Sequence, residues 1–356
     1  MSSTSLSLGL HLVESGLVPD WAIRYGIRRL LKQRLREERA LTSEAQQTRK
    51  NQLIAQLRQS PLAIDTEKAN EQHYEVPAQF FEHVLGPNRK YSSAYYDLNA
   101  PQMTLQQAEV RMLELTCQRA QIQNGEKVLE LGCGWGSLTL FMAQRFPQSQ
   151  ITGVSNSRSQ REFILTQAAA RGLSNIEIIT ADINQLDFGQ REPFDRAVSV
   201  EMFEHVRNYQ HLFSNISRWL KPSGRIFIHI FSHHRYAYPF EERDASDWMA
   251  KHFFSGGLMP SHDLLLYFQD HLRLIDHWTV DGRHYERTSN AWLANMDSNR
   301  QAIWPILEQT YPGQASLWWH RWRVFFMACA ELWGYQAGQE WHVTHLLFEN
   351  RATRSP

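Results

Sequence analysis

Between residues 105 and 231 the apolar positions alternate between two spacings. Short runs rich in Val, Ile and Leu, each closed by turn residues, predict strands at 127–131, 150–154, 176–180, 195–200 and 225–231. Between them, apolar residues three and four apart predict helices at 105–121, 135–146, 158–171 and 208–220. Such alternation predicts an α/β fold, a doubly wound parallel sheet covered by helices on both faces. Residues 235–340 break the rhythm with a long, aromatic, mostly helical insertion, and 341–349 reads as a final strand. An insertion between late strands lies near the carboxyl edge, where it can roof a site. Residues 1–70 read as a helical extension, and 71–356 as one domain carrying the insertion at about 235–340. Pro19-Asp20 opens a helix with Ile23, Ile27, Leu30, Leu31 and Leu35 on one face and Arg24, Arg28, Arg29, Lys32, Arg34, Arg36 and Arg39 over the rest. It reads as a packed helix with a solvated basic face or as a surface for anionic membranes. Gln72 to Tyr96 reads as a polar and aromatic connection.

The run Lys127-Val-Leu-Glu-Leu-Gly-Cys-Gly-Trp-Gly136 changes this from a fold to a site. An apolar strand ends in an acidic residue, Glu130, and turns through Gly132, Gly134 and Gly136 into a helix. Glycine lets a ligand approach the backbone, and the helix start offers free N–H groups. A dinucleotide fingerprint needs its third glycine later and an acidic residue after the second strand. Here Ser137 stands where Gly or Ala belongs, and the second strand runs into Ser155-Asn156, which argues against NAD. The run resembles motif I of class I S-adenosylmethionine-dependent methyltransferases.

Other strand ends add candidates. Asp182, with Ile183, follows the third strand and is placed to accept from an adenine amino group, or serves as a turn residue. Glu201, Glu204 and His205 follow the fourth. If the turn continues as helix, Glu201 shares a face with Glu204 at i, i+3 and with His205 at i, i+4. A carboxylate and an imidazole there can attract an ammonium and accept its proton; a capping ion pair is the structural alternative. Tyr74, Glu75, Tyr91, Ser92 and Ser93 precede the sheet, and Phe325, Phe326 and Trp333 belong to a late aromatic segment that is core or pocket roof. An aromatic roof suits a sulfonium and an ammonium.

Composition narrows the partners little. Lys plus Arg and Asp plus Glu both number 37, so charge does not point to nucleic acid. Cys117, Cys133 and Cys329 lack pairing or metal spacing, which fits a reduced, cytoplasmic setting. The 16 His residues show no metal-binding pattern, so no metal is expected. No apolar run reaches about 18 residues, so no membrane insertion is expected, and Met-Ser-Ser-Thr lacks the basic start of a signal peptide.

Further blocks make the resemblance specific. They are Gly16-Leu-Val-Pro-Asp20, Tyr74-Glu-Val-Pro77, Arg119-Ala-Gln-Ile122, Val154-Ser-Asn-Ser157 with Gln160, Phe203-Glu-His-Val-Arg-Asn-Tyr209, Gly256-Gly-Leu-Met-Pro-Ser261, His277-Trp278 and Gly334-Tyr335. With them the chain resembles the cyclopropane-fatty-acid-synthase-like methyltransferase family, in its coclaurine- and pavine-type alkaloid N-methyltransferase branch. The resemblance implies a class I methyltransferase Rossmann-like fold and the cofactor S-adenosylmethionine, with S-adenosylhomocysteine as product. The substrate it implies is a small cyclic or aromatic amine. It implies cofactor contacts at Tyr91, Ser92, Gly132, Gly134, Asn156, Gln160, Asp182 and Ile183, a catalytic pair Glu204 and His205, and substrate contacts at Tyr74 and Glu75. The cyclopropane synthases hold a bicarbonate with ligands that include a Cys after the Tyr-Ser pair and a late Tyr. This chain has Ser93 and Phe325 at those places, while Glu204 and His229 remain. A lipid methyltransferase of cyclopropane synthase type and a non-catalytic cofactor-binding module are the alternatives, and a homodimer is left open.

Overall fold

The computed structural model describes residues 3–64, 76–100, 102–241, 248–254 and 256–351, and the statements below concern these residues. Three helices come first: α1 (Ser3–Glu14), α2 (Asp20–Glu38) and α3 (Ser43–Gln59). Then follow α4 (Ala78–Val84), α5 (Leu105–Arg119), β1 (Lys127–Leu131), α6 (Ser137–Arg145), β2 (Gln150–Ser155), α7 (Arg158–Ala170), β3 (Ile176–Thr180), β4 (Phe194–Val200), α8 (Tyr209–Trp219) and β5 (Leu220–His233). The last third holds β6 (Tyr238–Pro239), α9 (Trp248–His252), β7 (Leu258–Met259), β8 (Leu272–Val280), α10 (Gly282–Ser298), α11 (Arg300–Thr310), α12 (Ala315–Trp333) and β9 (Trp341–Asn350).

Seven strands form one sheet in the order β3-β2-β1-β4-β5-β9-β8. The first five are parallel, and β9 and β8 are antiparallel. Neighbouring strand residues point to opposite faces. Val128, Phe227 and Leu347 pack with Leu113 and Met142 on one face, while Leu129, Ile226, Ile228 and Leu346 pack with Phe213 and Ile216 on the other. Chain order reverses between β1 and β4, the switch point at which open α/β sheets leave a crevice for ligands.

Two elements depart from the pattern read along the chain. Strand β8 lies inside the span assigned to a mostly helical insertion. Leu272-Arg-Leu-Ile-Asp-His-Trp-Thr-Val280 shows no clean alternation because the strand is an edge, paired with β9 alone, and a register shift between Leu274 and Asp276 breaks its period. Helix α4 lies inside the supposed connection. It starts after Pro77 and is short, yet Phe80, Phe81 and Val84 are fully buried, so tertiary packing stabilises it.

Helix α2 packs against α12. Ile23 is buried, Ile27, Leu31 and Leu35 pack on the aromatic core, and Leu30 turns outward. The basic face is not wholly solvated. Arg24 donates to Glu331 at 2.9 Å and to Asn290 at 2.8 Å, and Arg28 pairs with the other Glu331 oxygen. The Glu331 side chain is only 7% exposed. Glu331→Ala is expected to destabilise the fold by about 1–3 kcal/mol, since it leaves the half-buried Arg24 short of its charged partner. Thermal unfolding measures this, and an unchanged Tm would show that α2 docks through its apolar face alone.

Candidate active site

The turn after β1 forms one wall. Gly132, Gly134 and Gly136 have φ of 81°, 50° and 78°, left-handed backbone that glycine adopts without cost. A Cβ on Gly132 would meet Met202 at 2.7 Å, and one on Gly136 would meet Ile164 at 2.6 Å. A Cβ on Gly134 would meet nothing within 4 Å, because this glycine borders open cavity. Glu130 is buried and accepts from Thr139 Oγ1; burial pushes its carboxyl up to about 8. From α7, Gln160 accepts from Ser155 Oγ at 2.6 Å, which leaves its buried amide Nε2 without a protein partner at the cavity edge. Lys90, Tyr91 and Ser92 close this end, with Lys90 Nζ donating to Ser92 Oγ. Desolvation lowers the Lys90 ammonium to about 8.

The facing wall comes from the end of β4. The expected helical face does not form. Glu201 has φ of 49°, and only a single 3₁₀ turn, Phe203–His205, follows. The left-handed step points Glu201 away from that turn and into the cavity, where its carboxylate collects three donors. Ser93 N donates to Oε1 at 3.2 Å, His229 Nε2 lies 3.2 Å from the same oxygen, and Tyr285 Oη donates to Oε2 at 2.7 Å. Burial raises this carboxyl to about 7, against the lowering pull of Lys90, Tyr285, Ser93 and His205.

Glu204 and His205 separate in the same turn. His205 lines the cavity with its ring stacked on Phe254, centroids 5.6 Å apart, and burial lowers it to about 4, so the imidazole is neutral at pH 7. Glu204 lies behind the wall. Its Oε1 accepts from Phe231 N at 2.8 Å and its buried Oε2 has no protein partner. Burial and the nearby Glu201 hold its carboxyl well above the usual range.

These walls enclose a cavity of about 1280 Å³ that α2, α10 and α12 roof. Phe231, Phe254, Tyr285, Trp292, Phe325 and Trp333 make much of it aromatic. Tyr285 stacks on Trp333 at 4.7 Å with rings 3° from parallel, which braces the hydroxyl that holds Glu201. Phe326, expected to face substrate, does not: it is fully buried against Trp292 and Trp322, since adjacent helical residues diverge. His229 is also fully buried and reaches the cavity only through Glu201. Asn156, Asp182 and Ile183 are half-buried at the ends of β2 and β3 and do not line the cavity. Asp182 Oδ1 instead accepts from both the backbone and side-chain nitrogens of Asn184, at 2.7 and 2.9 Å. Tyr74 and Glu75 lie outside the described residues.

One His/Glu cluster stands apart from the cavity. His233, His234 and Glu340 bring their ligand atoms within 4.8 Å of one another. His233 Nδ1 accepts from Arg235 N and Tyr236 N, both at 2.9 Å. The neutral ring therefore carries its proton on Nε2, which faces Glu340 at 3.3 Å and offers no lone pair to a cation.

Sequence reading assigned no role to Lys90, Tyr285 or His345. Tyr285 meets Glu201 across 84 residues, and His345 meets His229 across 116, so no local spacing signals either contact.

Known proteins resemble this chain along most of its length. The family described as mycolic acid cyclopropane synthetase matches residues 63–342. An (S)-coclaurine N-methyltransferase of Thalictrum flavum subsp. glaucum is 39% identical over 348 residues, 96% of this chain and 95% of that one. A cyclopropane-fatty-acyl-phospholipid synthase of Escherichia coli strain K12 is 30% identical over 242 residues, 67% of this chain and 58% of that one. The crystal structure of coclaurine N-methyltransferase bound to N-methylheliamine and S-adenosylhomocysteine superposes with a TM-score of 0.90 at 36% identity, over 97% of this chain and 99% of that one. With the glycine turn at the sheet's switch point and a roofed cavity beside it, the chain belongs to the mycolic acid cyclopropane synthetase family and is an S-adenosylmethionine-dependent methyltransferase of class I fold.

Proposed function

We propose that the enzyme N-methylates a small cyclic or aromatic amine. One observation carries the reading: a carboxylate, Glu201, and a neutral imidazole, His205, face an aromatic cavity beside the glycine turn. The substrates named for the similar alkaloid enzymes support it. The backbone at Gly132 and Gly134, the amide of Gln160, and Tyr91 and Ser92 are the groups that would hold the cofactor; Asn156, Asp182 and Ile183 stand at the ends of β2 and β3, outside the cavity lining. Bound S-adenosylmethionine supplies an electrophilic methyl group. The aromatic wall attracts the ammonium form of the substrate through its ring faces. Glu201 attracts the same cation. The ammonium proton passes to Glu201 or His205, which frees the nitrogen lone pair for attack. Glu204 holds the end of β5 by accepting from the Phe231 amide and backs the two. Tyr74 and Glu75 remain candidates for substrate contact by resemblance alone. Nucleic acid has no place in this reading, and three free cysteines suit a reducing compartment such as the cytoplasm. No described helix is long and apolar enough to cross a membrane.

Cyclopropanation of a lipid is the competing reaction. Ser93 spends its hydroxyl on the Ala94 carbonyl at 3.1 Å, and Phe325 has no hydroxyl. His229 has both nitrogens engaged, Nε2 by Glu201 and Nδ1 by His345, so a carboxylate of the chain itself occupies the imidazole that bicarbonate would need. Turnover is therefore expected to be insensitive to bicarbonate removal, with a methylated amine as product. A screen of amines and phospholipids with labelled S-adenosylmethionine, read by mass spectrometry, decides between them. A cyclopropane lipid, formed only with bicarbonate present, refutes the amine reading.

A further inference from the structure

A line of hydrogen bonds crosses the sheet behind Glu201. His229 on β5 and His345 on β9 are direct cross-strand partners, and both are fully buried. His229 Nδ1 lies 2.9 Å from His345 Nε2, and His345 Nδ1 lies 2.6 Å from a guanidinium nitrogen of Arg119, the last residue of α5. The Arg119 guanidinium sits over the Trp278 ring at 4.9 Å, which fixes it from outside.

The chemistry of the end group orients the whole line. A guanidinium only donates and keeps its charge. His345 Nδ1 must therefore accept, and the neutral ring carries its proton on Nε2. That proton points to His229 Nδ1, so His229 in turn carries its own proton on Nε2 and donates to Glu201 Oε1. Burial, with Arg119 and Lys90 nearby, holds both imidazoles well below their ordinary value, so neither ring takes a second proton at neutral pH. Each link then has one allowed direction, from Arg119 inward.

We propose that Arg119 is a positioning residue for methyl transfer: through His345 and His229 it fixes both ring tautomers and so presents Glu201 with a donor, which keeps that carboxylate ionised and aimed into the cavity. The line is a brace and not a proton exit. A proton arriving at Glu201 meets a ring nitrogen that already carries one, and the far end cannot accept. Protons taken from substrate leave through the cavity, on the side of His205. The other ionisable groups acting on Glu201 are Lys90, His205, Glu204, Tyr285 and Cys329, and Lys90 acts on both imidazoles of the line as well.

The kinetic test rests on the amine N-methyltransferase reading; a second arm does not. Full-length Arg119→Met and Arg119→Lys enzymes are compared with the parent for kcat against pH, with S-adenosylhomocysteine affinity by calorimetry alongside. Arg119→Met is expected to move the acidic limb upward by about one pH unit, and so to lower kcat at pH 7 about fivefold, with affinity for the nucleoside unchanged. Arg119→Lys, whose ammonium can still donate to His345 Nδ1, is expected to keep the parent profile. An unmoved limb in Arg119→Met overturns the proposal, as does an Arg119→Lys profile shifted equally. Independently of turnover, ¹⁵N NMR of the histidine-labelled parent is expected to show unprotonated Nδ1 and protonated Nε2 in His229 and His345. A protonated Nδ1 in either ring overturns it. If the parent methylates no amine, the proposed function falls and the NMR result alone decides the role of Arg119.

Discussion

Glu201→Gln and His205→Ala are each expected to lower kcat at neutral pH by about 10²–10⁴-fold, the usual loss when a positioned acid–base group is removed. Affinity for S-adenosylhomocysteine should stay near that of the parent, because neither residue belongs to the glycine turn. Glu204 separates two roles. Its carboxyl lies behind the wall with one oxygen accepting the Phe231 amide, so Glu204→Gln keeps the shape and the acceptor and should retain most of the activity. Glu204→Ala loses both and should fall with the other two. The pH sign follows from Glu201. Its ionised form is the acceptor, and burial places its carboxyl at about 7, so activity drops as pH falls through that value. His205 stays neutral down to about 4 and adds no limb above it. Glu201→Gln should erase the acidic limb except for the part set by the amine's own protonation, and high pH should partly rescue it. The Glu201→Gln/His205→Ala double variant should lose less than the product of the single effects, since the groups act as a unit. Near-parent kcat in both single variants at pH 7 would assign the proton to solvent and leave the two residues structural.

The second large effect is on the cofactor. Gly134→Leu is expected to weaken S-adenosylmethionine and S-adenosylhomocysteine binding by about 10²-fold or more, roughly 2.7 kcal/mol. The added side chain meets no protein atom near its Cβ and grows into the cavity. Its cost to the fold is the left-handed backbone, about 1–2 kcal/mol. Gly132→Ala reverses the balance: its Cβ would press on Met202 at 2.7 Å, so the loss appears first in thermal stability. Calorimetry and thermal unfolding of the two variants separate ligand space from packing space. Tight binding by Gly134→Leu would mean that the cofactor does not approach this turn.

The parallel half of the sheet was legible because each strand is a short apolar run sealed by turn residues, and the glycine run names its own ligand edge. Strand β8 was not, because an edge strand with a register shift carries no clean period. At the site, the segment holding Glu201, Glu204 and His205 was visible as a cluster, but its geometry was not. The backbone at Glu201 turns left-handed, which reverses the outcome of helical spacing: the first carboxylate faces the cavity and the second backs the wall. Phe325 and Phe326 show the same limit, since composition marks both as aromatic and only the helix phase sends one inward. Lys90, Tyr285, His345 and Arg119 depend on contacts across the sheet or the roof, and Arg119 reaches His345 over 226 residues. Such contacts leave no trace in local sequence.

A cavity built to hold a methyl donor also holds potential victims of it. Cys133 and Cys329 both border the space, on opposite sides. The attacking species in S-alkylation is the thiolate, and burial pushes both thiols well above their ordinary value, so both stay as S–H. Self-inactivation by an electrophilic methyl group is therefore slow by construction. The working lifetime of the enzyme depends on apolar packing around two sulfur atoms that take no part in its reaction.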